Sequence, residues 1–268
     1  MMEPLDYKTI FIGIESSLRN HQGLNVNEFQ LKYEAFTNFE FKKRPDQEYF
    51  DLLKMIVFYS GFKADTVSKK ESIINQYFGD FSIVAKYGDS KITEILSDEK
   101  MIKNRLKVNA VVNNAKKFMQ IIEKHGSFHN YLQSFSPNES FENLMLLKEE
   151  LEYQFEFLGG ITGYHFLMDI GLEAIKPDRV ITRIFERLGL IESDKQLLKT
   201  IFHGRKFAGA TGHPIRYIDI IFVTYGQQGD KNTAENGICL EKNPKCEICG
   251  ITNFCISPLR NKAFNNKL

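Results

Sequence analysis

The sequence predicts an all-α fold, and three features of its 268 residues carry that prediction. Apolar residues recur at helical spacing along most of the chain, and no β-strand alternation is sustained. Hydrophobic residues make up 43% of the chain and charged residues 26%, enough apolar content for one large core or two modest ones. All four cysteines fall between residues 239 and 255, which sets this stretch apart from the helical remainder. The clearest predicted apolar stripe consists of Ile102, Leu106, Val108, Val111, Val112 and Ala115.

The beginning of the chain shows no targeting signal. The first residues, MMEPLDYKTIFIGIESSL, mix acids with apolar residues and lack the basic start and apolar core of a signal peptide. No segment reaches the roughly 18 consecutive apolar residues of a membrane helix. We therefore expect a cytoplasmic protein with no membrane partner, in a compartment where thiols are kept reduced. Clustered cysteines in that setting indicate a metal site rather than disulfides.

The N-terminal half is predicted to be a series of helices. The stretch that begins DQEYFDLLKM at residue 46 is typical of two helices, broken at SGFKAD over residues 60–65. Further helices follow in MIKNRLKVNAVVNNAKKF, residues 101–118, and GSFHNYLQSF, residues 126–135. Residues 100–117 hold six Lys or Arg and no acid, so the net charge of +1 is unevenly distributed. Such a run most often forms a solvated helix face.

Residues 158–172, LGGITGYHFLMDIGL, predict a tight glycine-rich turn between two helices. Such a turn exposes backbone N–H groups at a helix N-terminus, where they can bind an anion. Gly160, Thr162 and Gly163 are the candidate anion-binding residues. By itself, GGITG fits an ordinary helix–helix connection as well.

The stretch PDRVITRIFERLGL, residues 177–190, predicts a further helix. Pro177 precedes its start, Asp178 is suited to be its N-cap, and an apolar stripe follows. The stripe consists of Val180, Ile184, Phe185 and Leu188. Read alone, Asp178 is either a helix cap and nothing more, or a carboxylate with a functional role.

A last predicted helix, YIDIIFVTYGQQG at residues 217–229, leads toward the cysteines, with a small insertion before Cys239. The cysteines follow the pattern Cys239-x6-Cys246-x2-Cys249-x5-Cys255. Four thiolates can close a zinc site or bind the irons of a [4Fe–4S] cluster. Zinc ribbons usually carry two CxxC pairs and this stretch has one, so the spacing favours a cluster. Lys242 and Lys245 both lie inside the loop.

These motifs, in this order, resemble the HhH-GPD superfamily of DNA glycosylases. The cysteine spacing is similar to the cluster loop of endonuclease III and the mismatch adenine glycosylases. Residues 101–118 and 126–135 are similar to the helical core of 3-methyladenine glycosylase I. The resemblance implies a two-domain helical fold with a helix-hairpin-helix, an iron–sulfur loop and a DNA cleft between the domains. One domain would span residues 46–170, and residues 1–45 with 171–268 would form the cluster domain.

The resemblance also implies a function, a DNA N-glycosylase of base excision repair. A damaged or mismatched base in double-stranded DNA would be its substrate, and we expect a monomer that acts in the cytoplasm, at the nucleoid in a bacterium. Asp178 would be the catalytic carboxylate, and a [4Fe–4S] cluster would be bound by Cys239, Cys246, Cys249 and Cys255. Phe62, between Gly61 and Lys63, would insert into the base stack, although a core position is the alternative. The proposed DNA contacts are Phe62, Gly160, Thr162, Gly163, Lys242 and Lys245.

Departures from the family pattern keep alternatives open. The base-recognition glutamate of the 3-methyladenine branch corresponds to Ile56, and the lysine nucleophile of lyases corresponds to Tyr164 or His165. A monofunctional glycosylase is therefore favoured, with an alkylated purine as the favoured lesion, and Lys176 leaves a lyase as an alternative. A non-catalytic DNA-structure-binding or redox-sensing cluster protein is a second alternative, and a zinc-loop nucleic-acid-binding module is a third.

Overall fold

The helices of the protein follow its apolar periodicity closely. The computed structural model describes residues 6–62, 64–229 and 236–257, and in this part of the chain every regular element is helical. The first seven helices are α1 (Tyr7–His21), α2 (Val26–Thr37), α3 (Asp46–Tyr59), α4 (Ala64–Ser68), α5 (Glu71–Phe78), α6 (Phe81–Val84) and α7 (Asp89–Ser97). The next seven are α8 (Arg105–His125), α9 (Phe128–Gln133), α10 (Phe141–Gln154), α11 (Ile161–Asp169), α12 (Arg179–Arg187), α13 (Leu197–Thr211) and α14 (Ile215–Gly226). Short 3-10 turns follow at Cys246–Ile248 and Thr252–Phe254.

The chain divides into two compact units. One is continuous and contains residues 41–172, that is, α3 to α11. The other combines residues 1–40 with residues 173–268, so α1 and α2 belong with α12 to α14 and the cysteine loop. The sequence placed the boundaries at residues 45/46 and 170/171, a few positions from those of the structure.

The continuous unit is organised around α8, its longest helix. Asn104 caps α8 by accepting a hydrogen bond from the Lys107 N–H, and Gly126 ends it with a φ of 78°. Helices α3, α6, α7 and α9 all pack against α8. A stacked pair of Phe118 and Phe128 rings, 4.5 Å apart, lies at the centre of this core. Both rings are fully buried.

The discontinuous unit has an aromatic core shared by its N-terminal and C-terminal segments. Helix α1 packs against α13 and α14, and α12 packs against α14. Phe11 of α1 contacts Phe207 and Phe222, and Phe185 of α12 contacts the same two rings. These buried contacts hold α12 and the residues that precede it in a fixed position within the unit.

Two details of the helix prediction are corrected by the structure. The break at SGFKAD lies between α3 and α4, as expected, but the stretch after it forms three short helices instead of one. Leu106 was assigned to the apolar stripe of α8, yet it is 72% exposed, and its neighbour Lys107 is only 3% exposed. The helix therefore starts with a buried cation where the pattern suggested a leucine.

No helix in the described part of the chain is long and apolar enough to span a lipid bilayer.

Candidate active site and cysteine loop

The cysteine loop is fastened to the end of α14 and to α1. The Tyr225 carbonyl accepts hydrogen bonds from the N–H groups of Ile238 and Cys239, at 2.7 and 2.8 Å. On the far side of the loop, Gly250 lies against Gly13 of α1, and a Cβ built on Gly250 would be 2.1 Å from the Gly13 carbonyl oxygen. Both glycines are thus required for this close approach. The small insertion was predicted among the residues that precede Cys239, and residues 230–235 of that stretch lie outside the described part of the chain.

The four cysteines surround one cavity. Cys239, Cys246, Cys249 and Cys255 all line it, together with apolar side chains of α12 and the loop. The cavity holds about 390 Å³ of space free of protein atoms, part of it open to solvent. Two of the sulfur atoms already receive hydrogen bonds, Cys239 Sγ from Arg187 Nη1 and Cys249 Sγ from the Tyr225 hydroxyl, both at 3.1 Å.

The thiols surround the cavity without converging on a single point. Within residues 6–62, 64–229 and 236–257, no three His, Cys, Asp or Glu side chains are grouped so that they could bind one metal ion. Four thiolates on one zinc ion would lie roughly 3.8 Å apart, because each Zn–S bond is about 2.3 Å long. A four-iron cluster places its thiolates on the outer corners of a larger body. The two groups therefore differ in the sulfur–sulfur separations that they require.

Burial also affects the thiols directly. It raises the pKa of the Cys239 thiol, and the neighbouring Arg187 guanidinium partly opposes that rise. Arg187 donates further hydrogen bonds to the carbonyls of Leu240 and Glu241, at 2.8 and 3.1 Å. Arg183 of the same helix donates to the carbonyls of Gly226 and Cys239. Two arginines of α12 therefore fix the backbone at the first cysteine.

The two lysines of the loop differ in their surroundings. Lys242 is exposed and forms no hydrogen bond or ion pair with any residue that the structure describes. The Lys245 ammonium is 2.9 Å from His21 Nε2 and donates to the Asn236 carbonyl at 3.1 Å. The Lys242 ammonium is therefore available to contact a phosphate, whereas Lys245 holds the loop against α1.

Asp178 is the N-cap of α12. Its Oδ1 atom accepts hydrogen bonds from the N–H groups of Val180 at 2.8 Å and Ile181 at 3.1 Å. Its carbonyl also accepts the N–H and hydroxyl of Thr182. The other carboxylate oxygen, Oδ2, has no hydrogen-bond partner within the described residues, and the side chain is half-buried. The capping prediction is confirmed, and capping uses only one of the two oxygens.

The predicted hairpin turn lies between α10 and α11. Gly160 has a φ of 56°, a left-handed conformation that favours glycine, and its N–H donates to Glu152 Oε1 at 3.2 Å. The Thr162 hydroxyl is directed back to the carbonyls of Phe157 and Gly159, at 2.7 and 2.6 Å. Gly163 is buried, and a Cβ there would be 2.8 Å from the Leu158 carbonyl oxygen.

A carboxylate of the protein thus already lies at this turn. Glu152 forms an ion pair with Lys148, four residues earlier on α10. The Lys148 ammonium, helped by the Gly160 N–H, holds the pKa of the Glu152 carboxyl below its usual range. The Gly160 N–H is therefore already bonded to a carboxylate of the protein itself.

Phe62 lies in the short connection between α3 and α4. It is 38% exposed, next to Gly61, whose φ is 73°. Its neighbour on the other side, Lys63, lies outside the described residues. The Lys107 ammonium is 5.1 Å from the centre of the Phe62 ring. Phe62 is therefore partly accessible and held beside a cation, unlike the fully buried phenylalanines of the same unit.

Sequence reasoning missed the polar residues that support these loops. Lys107, Asn114, Glu152, Arg187 and Tyr225 each form side-chain hydrogen bonds to a candidate site segment. Two of them could have been found from helical spacing. Lys107 and Asn114 lie seven residues apart, on the same face of the helix as the apolar Val111, and this spacing predicts that they face the core.

Comparison with known families adds to this geometry. The sequence profile of methyladenine glycosylases matches residues 32–176, more than half of the chain. The chain belongs to the methyladenine glycosylase family. It is accordingly a DNA N-glycosylase of base excision repair, a hydrolase of N-glycosyl bonds. The matched segment includes Phe62 and the hairpin, and it ends before Asp178 and the four cysteines.

Solved structures show how this methyladenine glycosylase relates to other folds. It matches the Methanocaldococcus jannaschii 8-oxoguanine glycosylase/lyase bound to DNA containing 8-oxoguanine, with 17% identity over 78% of this chain and 94% of that one, at a TM-score of 0.50. The 8-oxoguanine DNA glycosylase of Thermotoga maritima matches with 19% identity over 78% and 95%, at a TM-score of 0.49. The 3-methyladenine DNA glycosylase I of Staphylococcus aureus matches with 21% identity over 58% and 91%, at a TM-score of 0.44. The first of these supports a helical DNA-glycosylase fold.

Proposed function

We propose that this enzyme is a monofunctional glycosylase that removes an alkylated purine from double-stranded DNA, with Asp178 as its catalytic carboxylate. It would act as a monomer in the cytoplasm, at the nucleoid if the source is bacterial. One observation carries the proposal: the helix cap fixes Asp178 through Oδ1, and Oδ2 receives no hydrogen bond from any residue that the structure describes. A panel of duplexes, each with one lesion, tests it by the release of free base.

The chemistry follows from the charge of Asp178. Breaking an N-glycosidic bond develops positive charge on the sugar, and a fixed carboxylate stabilises that charge. The same group can orient or deprotonate the attacking water. Because the N–H groups of Val180 and Ile181 bind Oδ1, the carboxylate is held in one orientation before substrate arrives. Oδ2 is the oxygen that would face the cation and the water.

Base displacement is assigned to Phe62. A base inside a duplex must be unstacked and rotated out before its glycosidic bond can be reached, at a cost of a few kcal/mol. An aromatic side chain inserted into the gap offsets part of that cost. We expect Phe62→Ala to slow excision from a paired duplex far more than from a single strand. An equal loss on both substrates would identify Phe62 as a core residue only.

The cysteine loop fits a [4Fe–4S] cluster bound by Cys239, Cys246, Cys249 and Cys255. The support is the cavity that all four thiols line and the two donors, Arg187 and Tyr225, already directed at sulfur atoms. Hydrogen bonds to cluster sulfurs are one means by which proteins set a reduction potential. When bound, the cluster would supply a rigid cross-link for the loop and a redox-active centre, and excision would use neither electron transfer nor iron.

The absence of a lyase step is inferred from the second hairpin helix. Tyr164 or its neighbour His165 corresponds to the lyase lysine, and neither side chain has a primary amine. The Tyr164 hydroxyl is buried and directed at the Met145 sulfur, 3.9 Å away. Burial raises the pKa of that hydroxyl. A tyrosine forms no Schiff base with the sugar, so a strand break would need another amine, and Lys176 is the nearest in sequence to Asp178.

The substrate class rests on family membership. A methyladenine glycosylase profile covers the unit that carries Phe62 and the hairpin. At position 56, however, the chain has a buried isoleucine in α3 where the 3-methyladenine branch keeps a glutamate. We therefore expect an alkylated purine to be recognised without a carboxylate from that position. Release of an oxidised purine or pyrimidine, with alkylated duplexes left intact, would reject this assignment.

A further inference from the structure

Lys107 is a buried cation that the glycosylase reaction, as described so far, does not use. It lies in the first turn of α8, and its side chain is packed inside the continuous unit. Burial lowers the pKa of Lys107 to about 8. Removing a lysine ammonium from water costs free energy, so specific contacts must offset that cost.

Those contacts are the carbonyl groups at the end of α3. The Lys107 ammonium donates hydrogen bonds to the carbonyls of Val57, Phe58 (3.2 Å) and Ser60 (2.6 Å). The last carbonyls of a helix have no partner within the helix, and they carry its negative partial charge. Lys107 satisfies these groups immediately before Gly61 and Phe62, so it determines where the connection leaves α3.

Two aromatic rings enclose the same ammonium. Lys107 Nζ is 5.1 Å from the centre of the Phe62 ring and 5.0 Å from that of Phe157. A cation over an aromatic face is stabilised by roughly 0.5–2 kcal/mol, depending on its exposure to water. Phe157 precedes the hairpin turn and has a φ of 62°, a conformation that non-glycine residues rarely adopt. The cation therefore connects the Phe62 segment with the hairpin.

Asn114 fixes the hairpin to the same helix. It lies seven residues, about two turns, after Lys107 on α8. Its side chain pairs with the backbone of Glu156, accepting the N–H at 2.8 Å and donating to the carbonyl at 3.0 Å. Helix α8 thus holds the residue before Phe157 by one buried polar side chain and the residues before Phe62 by another.

We propose that Lys107 is a positioning residue that holds Phe62 at the end of α3 and ties it to the hairpin, ready for base displacement. The inference rests on the proposed role of Phe62. Lys107 touches neither substrate nor reacting atoms, and it acts through the aromatic ring that would enter the base stack. Loss of the Lys107 ammonium should leave the chemistry at Asp178 intact and slow the excision of a base that is paired in a duplex.

The test uses the absence of tryptophan from the chain. In Phe62→Trp, the single indole reports the mobility of position 62 by fluorescence anisotropy and acrylamide quenching. Adding Lys107→Met keeps a long apolar stem and removes the ammonium. We expect lower anisotropy and about a twofold or larger rise in quenching, since both the cation–ring contact and the three hydrogen bonds are lost.

Excision kinetics complete the test in the native Phe62 background. Lys107→Met should lower the ratio of single-turnover rates, paired duplex over single strand, by roughly tenfold, because the cost of unstacking is then no longer offset. Phe157→Leu removes one of the two rings and keeps the ammonium, so it should lower the ratio in the same direction by less. It also provides a readout if Lys107→Met folds poorly.

Lys54→Met is the matched control. Lys54 is equally buried in the same unit, and its ammonium also contacts a helix-end carbonyl, that of Phe78 at 3.2 Å, besides Asp51 and Asn75. It has no contact with Phe62 in the described structure, so its loss should lower stability without changing the rate ratio or the indole signal. Equal effects of Lys54→Met and Lys107→Met would overturn the proposal, as would an indole unaffected by Lys107→Met.

The failure of the proposed function can be told apart from the failure of this inference. If Phe62→Ala leaves the duplex-to-single-strand ratio unchanged, Phe62 does not displace the base, whatever Lys107 does. A mobile indole in Lys107→Met would then still support the positioning contact, and a rigid one would reject it.

Discussion

Lys242 and Lys245 lie three residues apart in the cysteine loop, and the structure predicts that only one of them contacts DNA. The Lys242 ammonium has no partner among the described residues, whereas Lys245 is bound to His21 and to the Asn236 carbonyl. We therefore expect Lys242→Gln to weaken binding to DNA and to flatten its salt dependence. Lys245→Gln should leave the salt dependence unchanged, and the double variant should behave like Lys242→Gln.

The magnitude follows from counterion release. Each phosphate contact contributes about 0.9 to the slope of log K against log salt concentration on duplex DNA. Losing one contact should reduce that slope by about 0.9. Between 50 and 200 mM salt, the wild-type affinity should then fall roughly 3.5-fold more than that of Lys242→Gln.

The assay is the affinity for a lesion-free duplex, measured by fluorescence anisotropy at four or more salt concentrations. Thermal melting of both variants checks that the loop remains folded. An equal reduction of the slope in Lys242→Gln and Lys245→Gln would refute the reasoning, because the bound lysine would then contact phosphate as well. An unchanged slope in both would mean that the loop does not touch DNA.

Three further predictions concern the metal, the reaction type and pH. Protein purified without oxygen should be yellow-brown with about four irons per chain, and a colourless protein with one zinc would reject the cluster. Borohydride should trap no enzyme–DNA adduct during excision, whereas an adduct abolished by Lys176→Gln would show a lyase. Burial lowers the pKa of Lys107 to about 8 in the folded protein. Between pH 8 and about 10.5, the unfolded chain therefore keeps a proton on Lys107 that the folded protein has lost. Relative to Lys107→Met, the wild type should therefore gain unfolding free energy as the pH rises across that window, and a difference that does not change with pH would contradict the prediction.

Much of the helical fold could be predicted because periodicity and caps are local signals. Asp178 followed by an apolar stripe predicted α12, and the structure confirms both the cap and the burial of Ile184 and Phe185. The phase of α8 was misjudged at its beginning. A lysine at position 107 looked like a surface residue, because its three carbonyl partners lie about 50 residues away in the chain.

The site was harder to predict for a similar reason. Spacing alone indicated a metal loop, but not which lysine would be free, since the partner of Lys245 is His21 on α1. Nor could it show that Glu152 would lie at the hairpin amide of Gly160. Such contacts depend on tertiary packing, and a sequence pattern contains no direct record of them.

The most direct test of the account is the excision rate of Asp178→Asn on a lesion duplex under single-turnover conditions. Asparagine caps a helix about as well as aspartate, so α12 and the thermal stability should be nearly unchanged. The negative charge is lost, and we predict a rate lower by roughly 10²-fold or more with lesion binding retained. A near-normal rate would show that Asp178 only caps α12, and the catalytic group would have to be sought elsewhere in the chain.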